Sequence, residues 1–362
     1  MNLPNNLENV PSPALLVYPE KIQANITKML DMVGGDPQRL RPHVKTHKTP
    51  QIIQMQIEAG ITHFKCATLS EARMTAGAGA KDVLLAYQPV GPNVELFLKL
   101  QDGFPNVSFA TVADCMETVE AFETSGKPAN LCLDVDCGMH RTGIAPGDKA
   151  IELCQAIHNS KNLNFAGLHV YDGHIHEADL DERLAAHDKA MATWKPFYEQ
   201  LQTLDIPVKN IVTGGSPTFP FYTNEKWQCS PGTTLLWDAG YSDAHPDMDF
   251  EVATYLLCRV ISKPGENQIC LDLGYKAIAS ERPLETRFAF PTLSEVKPIS
   301  HSEEHLVLQL PDVDHIEIGS PVLVIPWHIC PTVALYDQMY VVQKNAASGE
   351  SWPITARTRL LS

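Results

Sequence analysis

The chain has 362 residues, 44% of them hydrophobic, enough for one large domain or two ordinary ones with a sizeable core. Its 43 acidic against 28 basic residues give a net charge of -15, which argues against nucleic acid or an anionic membrane as a partner. Met1–Val10 is polar and lacks the basic-then-apolar order of a secretory leader, and no apolar run approaches the ~18 residues that a bilayer span needs.

The nine cysteines are scattered, form no CxxC pair and in part sit inside apolar runs, as Cys132 and Cys270 do. They read as reduced core residues of a cytoplasmic protein, with no structural zinc finger.

From about residue 40 the pattern alternates strand and helix. Strand-like runs end near Lys45 and at His63–Ala67, Val83–Tyr87, Val107–Thr111, Leu131–Val135, Phe165–Tyr171, Asn210–Thr213 and Thr233–Trp237. Helical stretches between them include Pro50–Ala59, Leu69–Ala76 with Ser70 as cap, Val94–Gln101, Asp148–Ile157 and Asp179–Leu204. This spacing predicts a parallel sheet closed as a (β/α)8 TIM-type barrel over residues 13–247, with an open doubly wound sheet as the alternative. After Phe250 the helical periodicity fades. Short runs at Glu251–Ile261, Gln268–Asp272, Thr286–Phe290, His305–Gln309, Pro321–Ile325 and Met339–Val342 predict a mostly antiparallel β domain, made of 248–362 with 1–12.

A barrel presents its chemistry at the C-terminal strand ends. The first of these ends carries Arg41-Pro42-His43-Val44-Lys45-Thr46-His47-Lys48. Arg41 and His43 crowd Lys45, and positive neighbours disfavour an ammonium and favour the nucleophilic amine that Schiff-base chemistry needs. The last two ends carry Thr213-Gly214-Gly215-Ser216 and Ser230-Pro231-Gly232-Thr233-Thr234. Small turns of this kind offer backbone N–H groups to a phosphate. A lysine, a phosphate site and an aromatic such as Tyr171 together suggest pyridoxal phosphate (PLP).

RPHVKTHK, DVDCGMHRTG, GLHVYDGH, TGGSPTF and SPGTTLLWDAGY, followed by LDLGYKAIASE, SEEH and PWHICPTVALYD, resemble the D-serine dehydratase / D-threonine aldolase family of alanine-racemase-like, fold-type III PLP enzymes. The resemblance runs from about residue 10 to the C-terminus. It implies a PLP barrel, a β domain and a homodimer. It makes Lys45 the Schiff-base lysine, with Lys48 as its rival, and Gly214, Gly215, Ser216, Gly232 and Thr233 the phosphate cradle. Tyr171 becomes a contact of the ring or the Schiff base; with Lys45 so assigned, Arg41 and His43 are expected to tune and position the aldimine and Thr46 to hold it. Ser230 stands where racemases of this fold place an arginine against the pyridine nitrogen, which counts against plain racemisation.

His328-Ile329-Cys330 is the second specific feature. In an extended strand residues i and i+2 share a side, so an imidazole and a thiolate can hold one cation, a pair that suits zinc. The resemblance places the family's metal pair at this position, with manganese the alternative to zinc. Weaker candidates are His174 and His176 as acid/base groups, Asp172 to orient either, Asp134 and Asp136 as barrel-mouth acceptors, and His140-Arg141 as turn supports. Trp327 and Tyr336 shape the pocket or a dimer contact. The reaction implied is dehydration and deamination of a β-hydroxy-D-amino acid, a small-molecule substrate, with retro-aldol cleavage as the alternative. A racemase and a non-catalytic PLP-binding protein remain further readings.

Overall fold

The computed structural model describes residues 2–222 and 226–359. In chain order β1 (Ala14–Val17) and α1 (Pro19–Met32) come first, then α2 (Pro50–Glu58), β2 (His63–Cys66), α3 (Leu69–Gly77), β3 (Asp82–Leu85), α4 (Pro92–Gly103) and β4 (Ser108–Ala113). There follow α5 (Met116–Thr124), β5 (Ala129–Asp134), α6 (Asp148–Asn159), β6 (Leu163–Val170), α7 (Leu180–Thr203), β7 (Ile211–Thr213) and β8 (Gln228–Cys229). The C-terminal part holds α8 (Ala239–Ala244), β9 (Thr254–Ser262), β10 (Gln268–Leu271), β11 (Phe288–Ala289), β12 (Lys297–His301), β13 (Leu306–Gln309), β14 (Pro321–Pro326), α9 (Ile329–Val333), β15 (Gln338–Gln343) and β16 (Ala346–Pro353). These elements form two compact units. One contains Thr27–Lys45 and Pro50–Gly232. The other contains the chain up to Ile26, Thr46–Thr49 and Thr233–Arg357.

The first unit is a parallel sheet in the order β2 to β8. Its strands are short, nearly continuous apolar runs such as Asp82-Val83-Leu84-Leu85, as expected for strands covered on both faces. The segment from Leu40 to Val44 completes the ring. Leu40 bridges Cys229 and His43 bridges Lys65, both in parallel. Pro42 has no N–H to give to a ladder, so this first strand shows only as isolated bridges. The eighth strand is Gln228–Cys229 rather than Thr233–Trp237. That apolar run instead opens with the 3-10 turn Thr233–Leu235, and Trp237 takes φ 52°, which no strand accommodates. Leu84, Val112, Cys132 and Val212 pack as one apolar layer inside the sheet, each large aliphatic contributing about 1.5–3 kcal/mol by burial. Outside, α6 buries Ala150, Ile151, Leu153, Cys154 and Ile157 at helical spacing. The cap of α3 is Thr68, two residues before the expected Ser70; its hydroxyl accepts from the Glu71 N–H at 3.1 Å.

The second unit is a nine-stranded sheet, antiparallel except where β1 pairs with β15. β1 lies between β9 and β15, and the Asn5 N–H donates to Asn345 O at 2.9 Å, so the N-terminal residues do join this sheet. Leu7, Val10, Leu16, Tyr255, Leu257, Leu323 and Val342 form its core. The sequence pattern misses β12 and β16. β12 is a largely exposed edge strand containing Pro298, and β16 carries Ala346-Ala347-Ser348-Gly349, so neither shows an apolar alternation.

Candidate active site

In the barrel unit the first strand ends at Lys45. The Lys45 N–H donates to His43 Nδ1 at 3.2 Å, and the His43 N–H donates to Pro231 O at 2.9 Å. His43 thus ties the lysine backbone to the turn after β8. Lys45 Nζ stands 5.8 Å from the centre of the Tyr171 ring. The same ring has Lys65 Nζ at 5.0 Å and the Arg141 guanidinium at 5.3 Å. Gly173 makes this arrangement possible, because a Cβ there would run into the Tyr171 ring. Behind the ring, Asp172 accepts from the Gly215 N–H at 2.9 Å and from the Tyr222 hydroxyl at 3.0 Å. Asp134, at the end of β5, accepts from His169 Nδ1 at 2.7 Å.

Lys65 was not among the residues expected at the site. It is 2% exposed on β2. Burial, and then the charge of Lys45, push its ammonium down to about 7 against the opposing pull of Asp172 and Asp134. The signal in the sequence was a lysine in the middle of the apolar run HFKCA. His169 is also held below the usual histidine range by burial, against the pull of Asp134.

The two small turns lie where expected. Gly214 takes φ 68°, a conformation that favours glycine. The Gly232 N–H donates to Ser216 Oγ at 3.2 Å, and a Cβ on Gly232 would stand 2.9 Å from His43 O. Ser230 Oγ, at the second turn, is buried with no hydrogen-bond partner among the described residues. An amine, an aromatic ring and two glycine turns with an unsatisfied hydroxyl fit an aldehyde cofactor with a ring and a phosphate, as PLP is.

Arg41 needs a correction as a cofactor ligand. Its side chain is buried, with Nε donating to Gln228 Oε1 at 2.6 Å and Nη1 paired with Asp82. Gln228 and Asp82 open β8 and β3, so the guanidinium sits at the N-terminal rim, the end of the barrel away from Lys45. On a strand, four residues span the sheet from one rim to the other. His174 is not in the Tyr171 cluster as described. Its ring packs over Gly138, whose Cβ would lie 3.2 Å from Nε2, and its Nδ1 is buried without a hydrogen-bond partner among the described residues. His176 is exposed, with Nδ1 2.6 Å from His174 O.

In the second unit, His328 and Cys330 are brought together differently from the expected strand. β14 stops at Pro326, His328 caps α9, and Cys330 lies in that helix, where Pro331 is tolerated in the first turn. Burial would push the Cys330 thiol up, but His328 and the Thr46 hydroxyl hold it below the usual thiol range. Thr46 Oγ1 is 3.2 Å and Thr233 Oγ1 3.6 Å from Cys330 Sγ. Burial would lower His328, but Cys330, Glu281 and Asp238 raise it to about 9. Glu281 Oε1 lies 2.6 Å from His328 Nδ1, which leaves Nε2 as the ring nitrogen for a cation. Asp238 accepts from the N–H groups of Ile329 at 3.0 Å and Tyr241 at 2.8 Å and so fixes the turn. Burial keeps its carboxyl raised to about 6. Neither Glu281 nor Asp238 was singled out from the sequence, although each ends or interrupts a recognisable motif. A nitrogen and a thiolate donor suit zinc. No group of three or more His, Cys, Asp or Glu that could hold a metal occurs among the described residues, so any ion here would keep positions open to other ligands.

Comparison with known proteins places these features in a family. The family model described as "Alanine racemase, N-terminal domain" matches residues 17–238, and "Putative serine dehydratase domain" matches 253–342. A D-threonine aldolase of Arthrobacter sp. is 26% identical over 97% of this chain and 94% of that protein. A D-serine dehydratase of Dictyostelium discoideum is 24% identical over 94% of this chain and 95% of that protein. The crystal structure of D-threonine aldolase from Filomicrobium marinum superposes with a TM-score of 0.88 at 27% identity, covering 99% of both chains. The chain therefore belongs to the alanine-racemase-like, fold-type III PLP enzymes that carry a serine dehydratase domain.

Proposed function

We propose that the protein is a PLP- and divalent-metal-dependent lyase that dehydrates and deaminates a β-hydroxy-D-amino acid to a keto acid and ammonia. The observation that carries this reading is the pairing of His328 with Cys330, backed by Glu281, in a chain whose barrel gathers Lys45 and Tyr171 beside two phosphate-type turns. When bound, PLP draws electron density from the substrate Cα, and the metal acts as a Lewis acid at the β-hydroxyl. Lys45 Nζ would hold the cofactor and is the base placed to take the α-proton. His43 and Tyr171 position Lys45. Gly214, Gly215, Ser216, Gly232 and Thr233 receive the phosphate. His328 Nε2 and Cys330 Sγ hold the metal, zinc by the softness of the thiolate, with manganese second. His174, whose buried Nδ1 has no hydrogen-bond partner among the described residues, is the candidate for a second acid or base.

Retro-aldol cleavage to glycine and an aldehyde is the second reading, favoured by the 26% and 27% identities to D-threonine aldolases. The deciding experiment incubates the purified protein with D-serine, D-threonine and a β-hydroxy-D-aspartate, each with zinc, with manganese and with chelator. Keto acid and ammonia mean dehydration. Glycine plus aldehyde overturns it in favour of cleavage. Full turnover under chelation removes the metal from the reading. Among the described residues the nine cysteines form no disulfide, which supports a cytoplasmic location. No described helix is long and apolar enough to cross a membrane. We assign the protein a homodimeric state, supported by exposed Tyr87 and Val90 beyond β3, at 61% and 55%.

A further inference from the structure

We propose that the N-terminal mouth of the barrel is a second binding site, which takes a small apolar α-amino acid as its zwitterion. It lies at the end of the barrel away from Lys45, where Arg41 is buried.

The alternation along the strands builds it. Asp82, Ser108, Asn130, Asn164 and Asn210 stand at or beside the starts of β3 to β7, and two residues further along are Leu84, Ala110, Cys132, Ala166 and Val212. Residues two apart on a strand share a face, so the barrel interior carries a polar layer at the mouth and an apolar layer beneath it. In a filled barrel such layers hold bulky branched side chains. Here Ala110, Cys132 and Ala166 are small, and both layers line a cavity of about 380 Å³ together with Arg41 and Lys209. That volume lies at the lower end of the range for small-molecule pockets.

The polar layer is held in place and still has atoms to offer. Gln228 Oε1 accepts from Arg41 Nε at 2.6 Å and from Asn210 Nδ2 at 2.7 Å, and Asn130 Oδ1 accepts from Asn164 Nδ2 at 3.2 Å. Asn130 Nδ2 donates to Phe109 O at 2.7 Å. Arg41 is 3% exposed and pairs through Nη1 with Asp82 Oδ1. Its Nη2, Asp82 Oδ2 and the Oδ1 atoms of Asn164 and Asn210 have no hydrogen-bond partner among the described residues. The charges on the lining are Arg41 and Lys209 against Asp82. His63, opposite Asp82 on β2, is held below the usual histidine range by burial and then by Arg41, against the pull of Asp82. A carboxylate fits Arg41 Nη2, with the exposed Lys209 on the same cavity. An ammonium fits Asp82 Oδ2 and the asparagine carbonyls. An anion without an ammonium leaves the Asp82 oxygen unsatisfied, and an amine without a carboxylate leaves the guanidinium nitrogen so. A branched aliphatic side chain covers the apolar floor formed by Leu84, Ala110, Cys132, Ala166 and Val212.

The test is a ligand-observed saturation-transfer NMR titration of the full-length protein, with PLP added, against L-leucine. The proposed reaction takes D-amino acids, so the L isomer spares the strand-end site. The expected dissociation constant is on the order of 1 mM. L-Valine, one methylene shorter, binds about fourfold more weakly. 4-Methylpentanoate lacks the ammonium and 3-methylbutylamine lacks the carboxylate; each binds at least about tenfold more weakly than leucine, because one charged hydrogen bond goes unmade. Ala110→Leu fills the cavity, weakens leucine binding at least about tenfold and leaves the visible PLP band unchanged. Ala166→Leu replaces it if that variant does not fold. No saturation transfer at tens of millimolar L-leucine overturns the proposal, as does binding of the acid or the amine as tight as that of leucine. Undiminished leucine binding in the cavity-filling variant, or a change in the PLP band that accompanies binding, places the ligand at the strand ends and overturns it too.

Discussion

Replacing Arg41 with methionine separates the two roles open to that residue. The guanidinium is buried, bonds to Gln228 Oε1 at 2.6 Å and Phe64 O at 3.4 Å, and pairs with an Asp82 side chain that is 29% exposed. The exposure of Asp82 limits the ion pair to about 1 kcal/mol. The short bond from a charged donor contributes about 1.5–3 kcal/mol, and the long one to Phe64 little. Methionine recovers part of the loss by keeping the apolar stem packed. The net expectation is a destabilisation of about 2–3 kcal/mol, read as a fall in the urea midpoint at neutral pH. PLP affinity, read from the visible absorbance, stays within about twofold because the strand ends are untouched. A fully stable variant that loses PLP affinity tenfold would refute the placement of Arg41 at the far rim.

Other perturbations give equally direct outcomes. Lys65→Met changes the pH dependence of stability: with a folded value of about 7 against an ordinary 10.5, the unfolded chain binds the extra proton between those limits, so wild-type stability rises with pH across that window. The variant is therefore the more stable protein below about pH 7, by on the order of 5 kcal/mol as a ceiling, and the advantage fades toward 10.5; a pH-independent difference in denaturation midpoints contradicts this. Gly173→Ala drives the Tyr171 ring off its place, and PLP affinity falls at least tenfold while urea denaturation shows a loss of only about 1–3 kcal/mol. Cys330→Ser, or a chelator added to wild type, abolishes turnover but leaves the PLP absorbance; retention of more than half the activity speaks against a catalytic metal.

The residues that could be read directly were those whose type alone restricts their use. A lysine between Arg41, His43 and His47, two glycine turns, and a His-x-Cys each narrow the chemistry without reference to a fold. The alternation of apolar runs with helical periodicity likewise suffices for a parallel barrel, because strands covered on both faces are apolar throughout. β12 and β16 escaped because an exposed edge strand has no such pattern to show.

Tertiary structure decided what depends on distance along a different axis from the chain. Arg41 and Lys45 are four residues apart and look like one cluster, yet an extended strand carries them to opposite rims. Lys65 is 20 positions from Lys45 in the chain and looked like a stray cation in a strand, yet the closing of the ring sets it beside the same tyrosine. Glu281 and Asp238 support His328 and the Ile329 turn through a chain reversal that no local pattern announces. The sequence by itself determined the fold class and the family, because residue type and periodicity carry that information. Only the folded chain decided which charges are buried together. Burial and Coulomb coupling follow distances in space, and those distances lower the Lys65 ammonium.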